Sequence, residues 1–348
     1  MVLPVILLLV GFLLLIKGGD WFVDGASGIA RRFHLPEILI GATVVSIGTT
    51  LPEVMVSAGA AFQGSGSIAY GNALGSIICN TALIAAITIA IKPGKAARKS
   101  MIVPVAFFFI ASAIYCVAAY FFKDFSRPIG IVLLSIFVIY MVLTVVRMKK
   151  DAASVDEVMQ EEVGTPTSEA ELEAKSGEDH VVESKLKGTK DNIFKDIVML
   201  VVGAIVIAVG ADLLVDNAII IAEHFGVPET VIGLTIVALG TSLPEFVTAI
   251  TSLIKGHGSL SLGNIIGANL FNLVLVSGAA ITINPFALPS SGEIFGINSS
   301  LILDIPVMFA VMLILTVPTL IKQKLSRWQG ITMLGIYVAF CAVQFLVL

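Results

Sequence analysis

Residues Gly41 to Glu53 read Gly-Ala-Thr-Val-Val-Ser-Ile-Gly-Thr-Thr-Leu-Pro-Glu, and residues Gly233 to Glu245 read Gly-Leu-Thr-Ile-Val-Ala-Leu-Gly-Thr-Ser-Leu-Pro-Glu. Each is an apolar stretch that ends in a proline followed at once by a carboxylate. The two lie 192 residues apart, and the likeness extends outward from them. Residues 18–80 align with 210–272 without a gap, and 26 of those 63 positions are identical. The identities include rare polar residues: Asp20 with Asp212, Asp24 with Asp216, Pro36-Glu37 with Pro228-Glu229, Gly71-Asn72 with Gly263-Asn264, and Asn80 with Asn272. Unrelated apolar segments would not share their polar residues, so the chain contains an internal repeat.

Composition says where this repeat resides. Hydrophobic residues make up 57% of the 348 and charged residues 13%, against about 25% charged in ordinary soluble domains. Apolar runs of about 20 residues cross a bilayer as helices. Ten such spans fit the pattern, near 2–30, 37–61, 69–91, 102–122, 128–147, 193–222, 229–254, 261–283, 300–321 and 327–347. The expected fold is an all-α integral membrane protein of ten transmembrane helices. Five spans precede and five follow the only long polar segment. Five is odd, so the second copy enters the membrane with opposite polarity, an inverted-topology repeat. The expected organisation is a first five-helix repeat over 1–147, an acidic flexible cytoplasmic loop over 148–192, and a second five-helix repeat over 193–348.

Lys and Arg set the orientation. With the N-terminus outside, 18 of the 21 basic residues fall in inside loops, and only Lys123 and Arg127 fall in an outside loop. Both termini are therefore expected outside, in a multi-pass protein of the cell (plasma) membrane. Thirteen of the 25 acidic residues crowd between Asp151 and Asp196, in a stretch too polar to bury a core. Cys79, Cys116 and Cys341 sit in apolar runs without metal-ligand spacing and read as buried thiols. The apolar N-terminus lacks a basic n-region and a cleavage site, and reads as the first span. There is no nucleophile constellation, phosphate loop, cofactor motif or nucleic-acid patch. An enzyme is not expected, nor a cofactor, and a monomer without an obligate protein partner is.

The motif chemistry points to a cation. Pro52 and Pro244 lack an N–H and clash with the carbonyl four residues back, which should break each helix and free the carbonyls of Gly48 and Gly240. A free carbonyl in hydrocarbon is costly unless satisfied. The hydroxyls of Thr49, Thr50, Thr241 and Ser242 stand beside the breaks, and oxygen-only ligands suit hard ions such as Na⁺, Ca²⁺ and Mg²⁺. Glu53 and Glu245 are the sharpest signal. A charge at mid-bilayer costs at least ~2.5–3.5 kcal/mol, and two at equivalent positions point to function rather than to buried carboxyls that merely cap or bridge helices. In the next span Asn72, Ser76 and Asn80 share one helix face. Asn80 and Asn272 lie deep enough to meet the glutamates as amide-oxygen ligands, whereas Asn72 and Asn264 read as caps or packing polars. Asn269 reads as an interhelical hydrogen-bond partner. Asp20 invites a local pair with Lys17, and Asp304 has no repeat counterpart.

At these motifs the chain resembles the sodium/calcium exchanger family of the cation/Ca²⁺ antiporter superfamily, over nearly its whole length. The Gly-Thr-(Thr/Ser)-Leu-Pro-Glu and Gly-Asn-x-x-Gly-(Ser/Ala)-x-x-x-Asn elements carry the resemblance. It implies Ca²⁺ between Glu53 and Glu245 with help from Thr49 and Thr241 backbone oxygens; by their depth Asn80 and Asn272 are expected to join as ligands of the metal and of Na⁺. It implies Na⁺ held by Thr50, Ser76, Ser242, the same glutamates, and the carbonyls of Ser46 and Ala238. Asn272 looks like the K⁺-independent type. Ala268 stands where many relatives carry Ser, opposite Ser76, so one Na⁺ site loses a hydroxyl. The expected activity is Na⁺/Ca²⁺ antiport by alternating access, both ions competing for one charge cluster while spans one and six rock against the rest. The rival is H⁺-coupled exchange of Ca²⁺ or another divalent cation; a channel fits the inverted repeat poorly.

Overall fold

The computed structural model describes residues 2–33, 35–164, 193–225, 238–290 and 292–346. Ten helices run through them: α1 (Val2–Arg32), α2 (Glu37–Phe62), α3 (Gly66–Ile91), α4 (Arg98–Phe122), α5 (Arg127–Gly164), α6 (Ile193–His224), α7 (Leu243–Ile254), α8 (Gly258–Ile283), α9 (Ser300–Lys322) and α10 (Arg327–Leu346). Among the described residues eight of them, all but α7 and α10, are long and apolar enough to cross a membrane. α7 has 12 residues and follows a helical turn, Ala238–Thr241. The start of the seventh expected span, with Pro228 and Glu229, lies outside the described residues. α5 continues well past the expected end of the fifth span, to Gly164; the remainder of the polar segment, 165–192, lies outside them too.

α8 is the hub. Every residue from Leu260 to Val274 is buried, as expected of a helix apolar on all sides. It crosses α2 with almost no side chain between the two backbones. A methyl on Gly41 would sit 2.8 Å from the Asn264 nitrogen, and one on Gly267 would sit 2.6 Å from the Ala42 Cα. Small residues are what let membrane helices approach so closely.

α1 and α6 form a second unit. They run antiparallel and touch along most of their length, through glycines spaced two turns apart. A methyl on Gly11 would meet Leu214 N at 2.8 Å, one on Gly18 would meet Ile207 N at 2.8 Å, and one on Gly25 would meet Leu200 N at 2.5 Å. Gly203 fits against the Phe22 backbone in the same way. Arg32 also pairs with Asp196 at 3.2 Å. α1 rests on α7 through Gly19, which faces Val247 and Thr251.

Short backbone bridges join the loops. Asp124–Phe125, after α4, pairs antiparallel with Phe286–Ala287, after α8. Lys95, after α3, bridges Lys324, after α9. Lys95 and Ala287 are 192 residues apart, so the loop after the third helix of one copy reaches the last loop of the other, and the converse.

Candidate ion-binding site

The repeated motifs converge at the crossing of these helices. α2 carries Ser46, Thr49, Thr50 and Glu53; α3 carries Ser76 and Asn80; Ser242 and Glu245 stand at the start of α7; α8 carries Asn272. Each of these is at most 2% exposed. Thr241 is half-buried, and Ala238 opens the turn before α7. α3 and α8 each slip into a π-helical turn, and each turn begins on the repeated asparagine: Asn80–Ala85 and Asn272–Val276. Such turns widen the helix and leave carbonyls poorly paired, frequently at functional sites. The Asn80 turn packs against α7, which carries Glu245, and the Asn272 turn packs against α2, which carries Glu53. Each asparagine thus faces the other copy's glutamate helix.

The two halves differ at the prolines. α7 starts only after Ser242, whose backbone (φ −93°, ψ 6°) interrupts the helix, with Pro244 in its first turn. α2 instead runs through Pro52 without a break. The expected break at Pro52 is therefore absent. Proline's fixed φ of about −65° is itself helical, and the helix continues on both sides of it.

The decisive feature is what the polar atoms lack. Both carboxylate oxygens of Glu53 and of Glu245, both amide atoms of Asn80 and of Asn272, and the hydroxyls of Thr50 and Ser242 are fully buried and make no hydrogen bond. Buried polar atoms are almost always paired, and an unpaired one costs about 1–3 kcal/mol, more if charged. The charges of Glu53 and Glu245 also act on each other. Carboxylates, amides and hydroxyls in one dry cluster form a donor set for a hard cation. Among the described residues no lysine or arginine pairs with either glutamate.

Around this core the hydrogen bonds are ordered. Thr49 and Ser46 donate to the Asn264 side-chain oxygen at 3.3 and 3.2 Å, and Ser46 also donates to the Gly41 carbonyl at 2.7 Å. Asn72 donates to the Glu53 carbonyl at 3.2 Å and to Ser57 at 2.9 Å. Asn264 therefore belongs to the wall of the site, a role its place near a helix start concealed. Its repeat-mate Asn72 keeps the packing role expected of it. Asn269 donates to Thr81 at 2.6 Å, an interhelical bond as expected. Asp304 is held by Ser300 and Gln344 at 3.0 and 2.9 Å, away from the cluster. The ion-pair partner of Asp20 and Asp24 is Lys255, at 3.3 and 2.8 Å, not the local Lys17. A cavity of about 10 Å³ separates the motifs from α1 and α6, lined by Phe22, Gly48, Thr49, Pro52, Ala204 and Pro244. That is about the room of one water-sized sphere, so the two glycine-paired helices close directly over the motifs.

The family model described as sodium/calcium exchanger protein matches residues 3–146 and 195–346. The chain belongs to the sodium/calcium exchanger protein family. It is accordingly an ion antiporter of the membrane. Exchangers similar to it include the sodium/calcium exchanger MaX1 of Methanosarcina acetivorans, 31% identical over 98% of each chain. The putative antiporter CaxA of Alkalimonas amylolytica is 35% identical over 99% of each. A structure of the sodium-calcium exchanger NCX_Mj, from a sample soaked with Na⁺ and Sr²⁺, superposes with a TM-score of 0.75 at 30% identity, covering 98% of each chain. The fold is thus shared with that exchanger over 98% of each chain.

Proposed function

We propose that this family member is a secondary antiporter that exchanges Na⁺ for Ca²⁺, both ions competing for the cluster around Glu53 and Glu245. The observation that carries this reading is the pair of buried, unpartnered carboxylates. One Ca²⁺ between Glu53 and Glu245 would neutralise both, with Asn80, Asn272 and the Thr49 and Thr241 carbonyls as further ligands. Several Na⁺ could replace it, using the same carboxylates with Thr50, Ser76, Ser242 and the carbonyls of Ser46 and Ala238. One set of charges cannot serve both loads at once, and that exclusion is what couples exchange. Similarity to MaX1 and NCX_Mj, each named as a sodium/calcium exchanger, supports this ion pair.

The bridges at Ala287 and Lys95, equivalent under the repeat, support an inverted arrangement of the five-helix halves 1–147 and 193–348 about the segment 148–192. Transporters so built bind at the repeat interface and move one body against the other. Here the α1–α6 pair would be the moving body, with α2, α3, α7 and α8 as the fixed one. Lys255, at the end of α7, holds α1 by Asp20 and Asp24 and latches the basic end of the molecule. By the count of Lys and Arg that end faces the cytoplasm of the cell, with both termini outside.

The test is ⁴⁵Ca²⁺ uptake into proteoliposomes. An outward Na⁺ gradient should drive it, K⁺ should leave it unchanged, and a pH gradient should not replace Na⁺. Buried glutamates can also carry protons, so uptake that follows pH and ignores Na⁺ would establish the H⁺-coupled alternative instead.

A further inference from the structure

A cavity at the basic end of the molecule plays no part in that reading. It has a volume of about 280 Å³ and opens at the basic end, between the end of α3, the start of α8 and the loop after α9. Lys92 and Lys95 stand at its rim, and among the described residues no Asp or Glu lines it. Both lysines are exposed, and among the described residues neither makes an ion pair. Their loop is fixed rather than loose: Gly94 O accepts from Leu325 N at 2.8 Å, and Ala96 N donates to Gln323 O at 3.0 Å.

The opposite wall is the N-terminus of α8. Its cap residue, His257, makes no side-chain capping bond and is engaged with Glu37. The first backbone bond of the helix is Ser261 N to His257 O, so the N–H groups of Gly258, Ser259 and Leu260 precede the hydrogen-bonded ladder. These N–H groups and the helix dipole favour an anion. A second, independent feature points the same way. Ser261 is 3% exposed, its hydroxyl makes no hydrogen bond, and it lines this cavity. The hydroxyl faces the cavity it lines and can donate to an acceptor held there. Beneath it the wall turns apolar, with Ile89, Leu262 and Ile265.

We propose that this cleft binds a phosphate-bearing anion, with Lys92 and Lys95 neutralising its charge and the α8 N-terminus and Ser261 donating to its oxygens. The same chemistry is offered by the headgroup of an acidic phospholipid and by free phosphate. An anion here clamps the end of α3 to the start of α8, the helices whose π-helical turns carry Asn80 and Asn272. Its occupancy is therefore expected to alter transport at a distance.

Binding can be measured without transport, so the result stands apart from the choice of exchanged ions. Full-length protein is purified in neutral detergent and offered phosphatidic acid, phosphatidylcholine or inorganic phosphate, with bound species read by native mass spectrometry. The wild type should retain phosphatidic acid and not phosphatidylcholine. The Lys92→Gln/Lys95→Gln variant should bind it about 30-fold more weakly, as expected for two lysine contacts. Ser261→Ala should weaken it a few-fold, while Lys99→Gln, which does not line the cleft, should leave it unchanged. Displacement of the lipid by millimolar inorganic phosphate would identify free phosphate as a ligand of the same site; failure to displace it would identify the lipid. Equal retention by the wild type and the double variant, or equal loss in Lys99→Gln, would overturn the proposal.

Discussion

The two ends of the α1–α6 pair are copies of one design, and they are finished differently. At the basic end Asp20 and Asp24 meet Lys255, which also donates to the Asp20 carbonyl at 3.0 Å. At the opposite end stand Asp212 and Asp216, their counterparts 192 residues on, and where Lys255 should recur the sequence has Gln63. Among the described residues neither Asp212 nor Asp216 makes an ion pair. Arg32–Asp196 likewise has no equivalent, since the matching positions are His224 and Pro4. Under the proposed inverted arrangement the two states are related by symmetry, and differences between the copies make them unequal in energy. One exchanged residue, Gln for Lys, places an ionic latch at one end alone.

The largest effect is expected from removing the body that the latch acts on. Gly18→Leu pushes a branched side chain into a 2.8 Å gap against the Ile207 backbone, a strain of roughly 1–3 kcal/mol or more. Transport should be lost and the melting temperature should fall. Gly59→Ala, with nothing within 4 Å, should change neither. An equal response of the two variants would mean that the glycine contacts of α1 with α6 do not matter.

Next comes the latch itself. Its aspartates are 38% and 46% exposed, so it is worth only about 1 kcal/mol, or about 5-fold in the population of the latched state. Spin labels at positions 33 and 254 report the latched end, and labels at 225 and 62 report its symmetric mate. Lys255→Gln should lengthen the first distance in a larger fraction of molecules. A population unmoved by the change would show that the ion pair is a bystander.

The smallest effect is expected from building the missing latch. Gln63→Lys gives Asp212 and Asp216 a partner that the wild type lacks. It should shift the balance the other way by no more than about 5-fold, since an introduced surface pair has no supporting carbonyl such as that of Asp20. In the double variant the two ends exchange roles, and the state populations should invert.

Much of the architecture was legible in the sequence because it is a matter of hydrophobic length and repetition. Eight of the ten expected spans coincide with helices within a few residues, and the glutamates announce themselves as charges where charge is expensive. What was hidden depends on contacts between distant segments. In the sequence Asn264 reads as a cap or packing polar because its depth along α8 says nothing of its neighbour. Only the glycine-mediated crossing with α2 brings Ser46 and Thr49 to its oxygen. Lys17 lay three residues from Asp20, yet Lys255, 235 positions away, takes the pair. Pro52 departs from its local rule: the same proline-glutamate pair sits in a continuous helix in α2 and at a helix start in α7. The symmetry of the motif therefore did not guarantee symmetry of the backbone.

The proposed exchange turns on Glu53 and Glu245 forming one site for two kinds of ion. The most direct test is calorimetric titration of Ca²⁺ into purified protein at stepped Na⁺ concentrations, repeated on Glu53→Gln and Glu245→Gln. The apparent Ca²⁺ affinity should fall steeply as Na⁺ rises, to a degree that requires more than one Na⁺ per Ca²⁺, and either substitution should abolish the binding heat while the protein stays folded. Ca²⁺ binding that ignores Na⁺, or that survives in both variants, would contradict a shared carboxylate site.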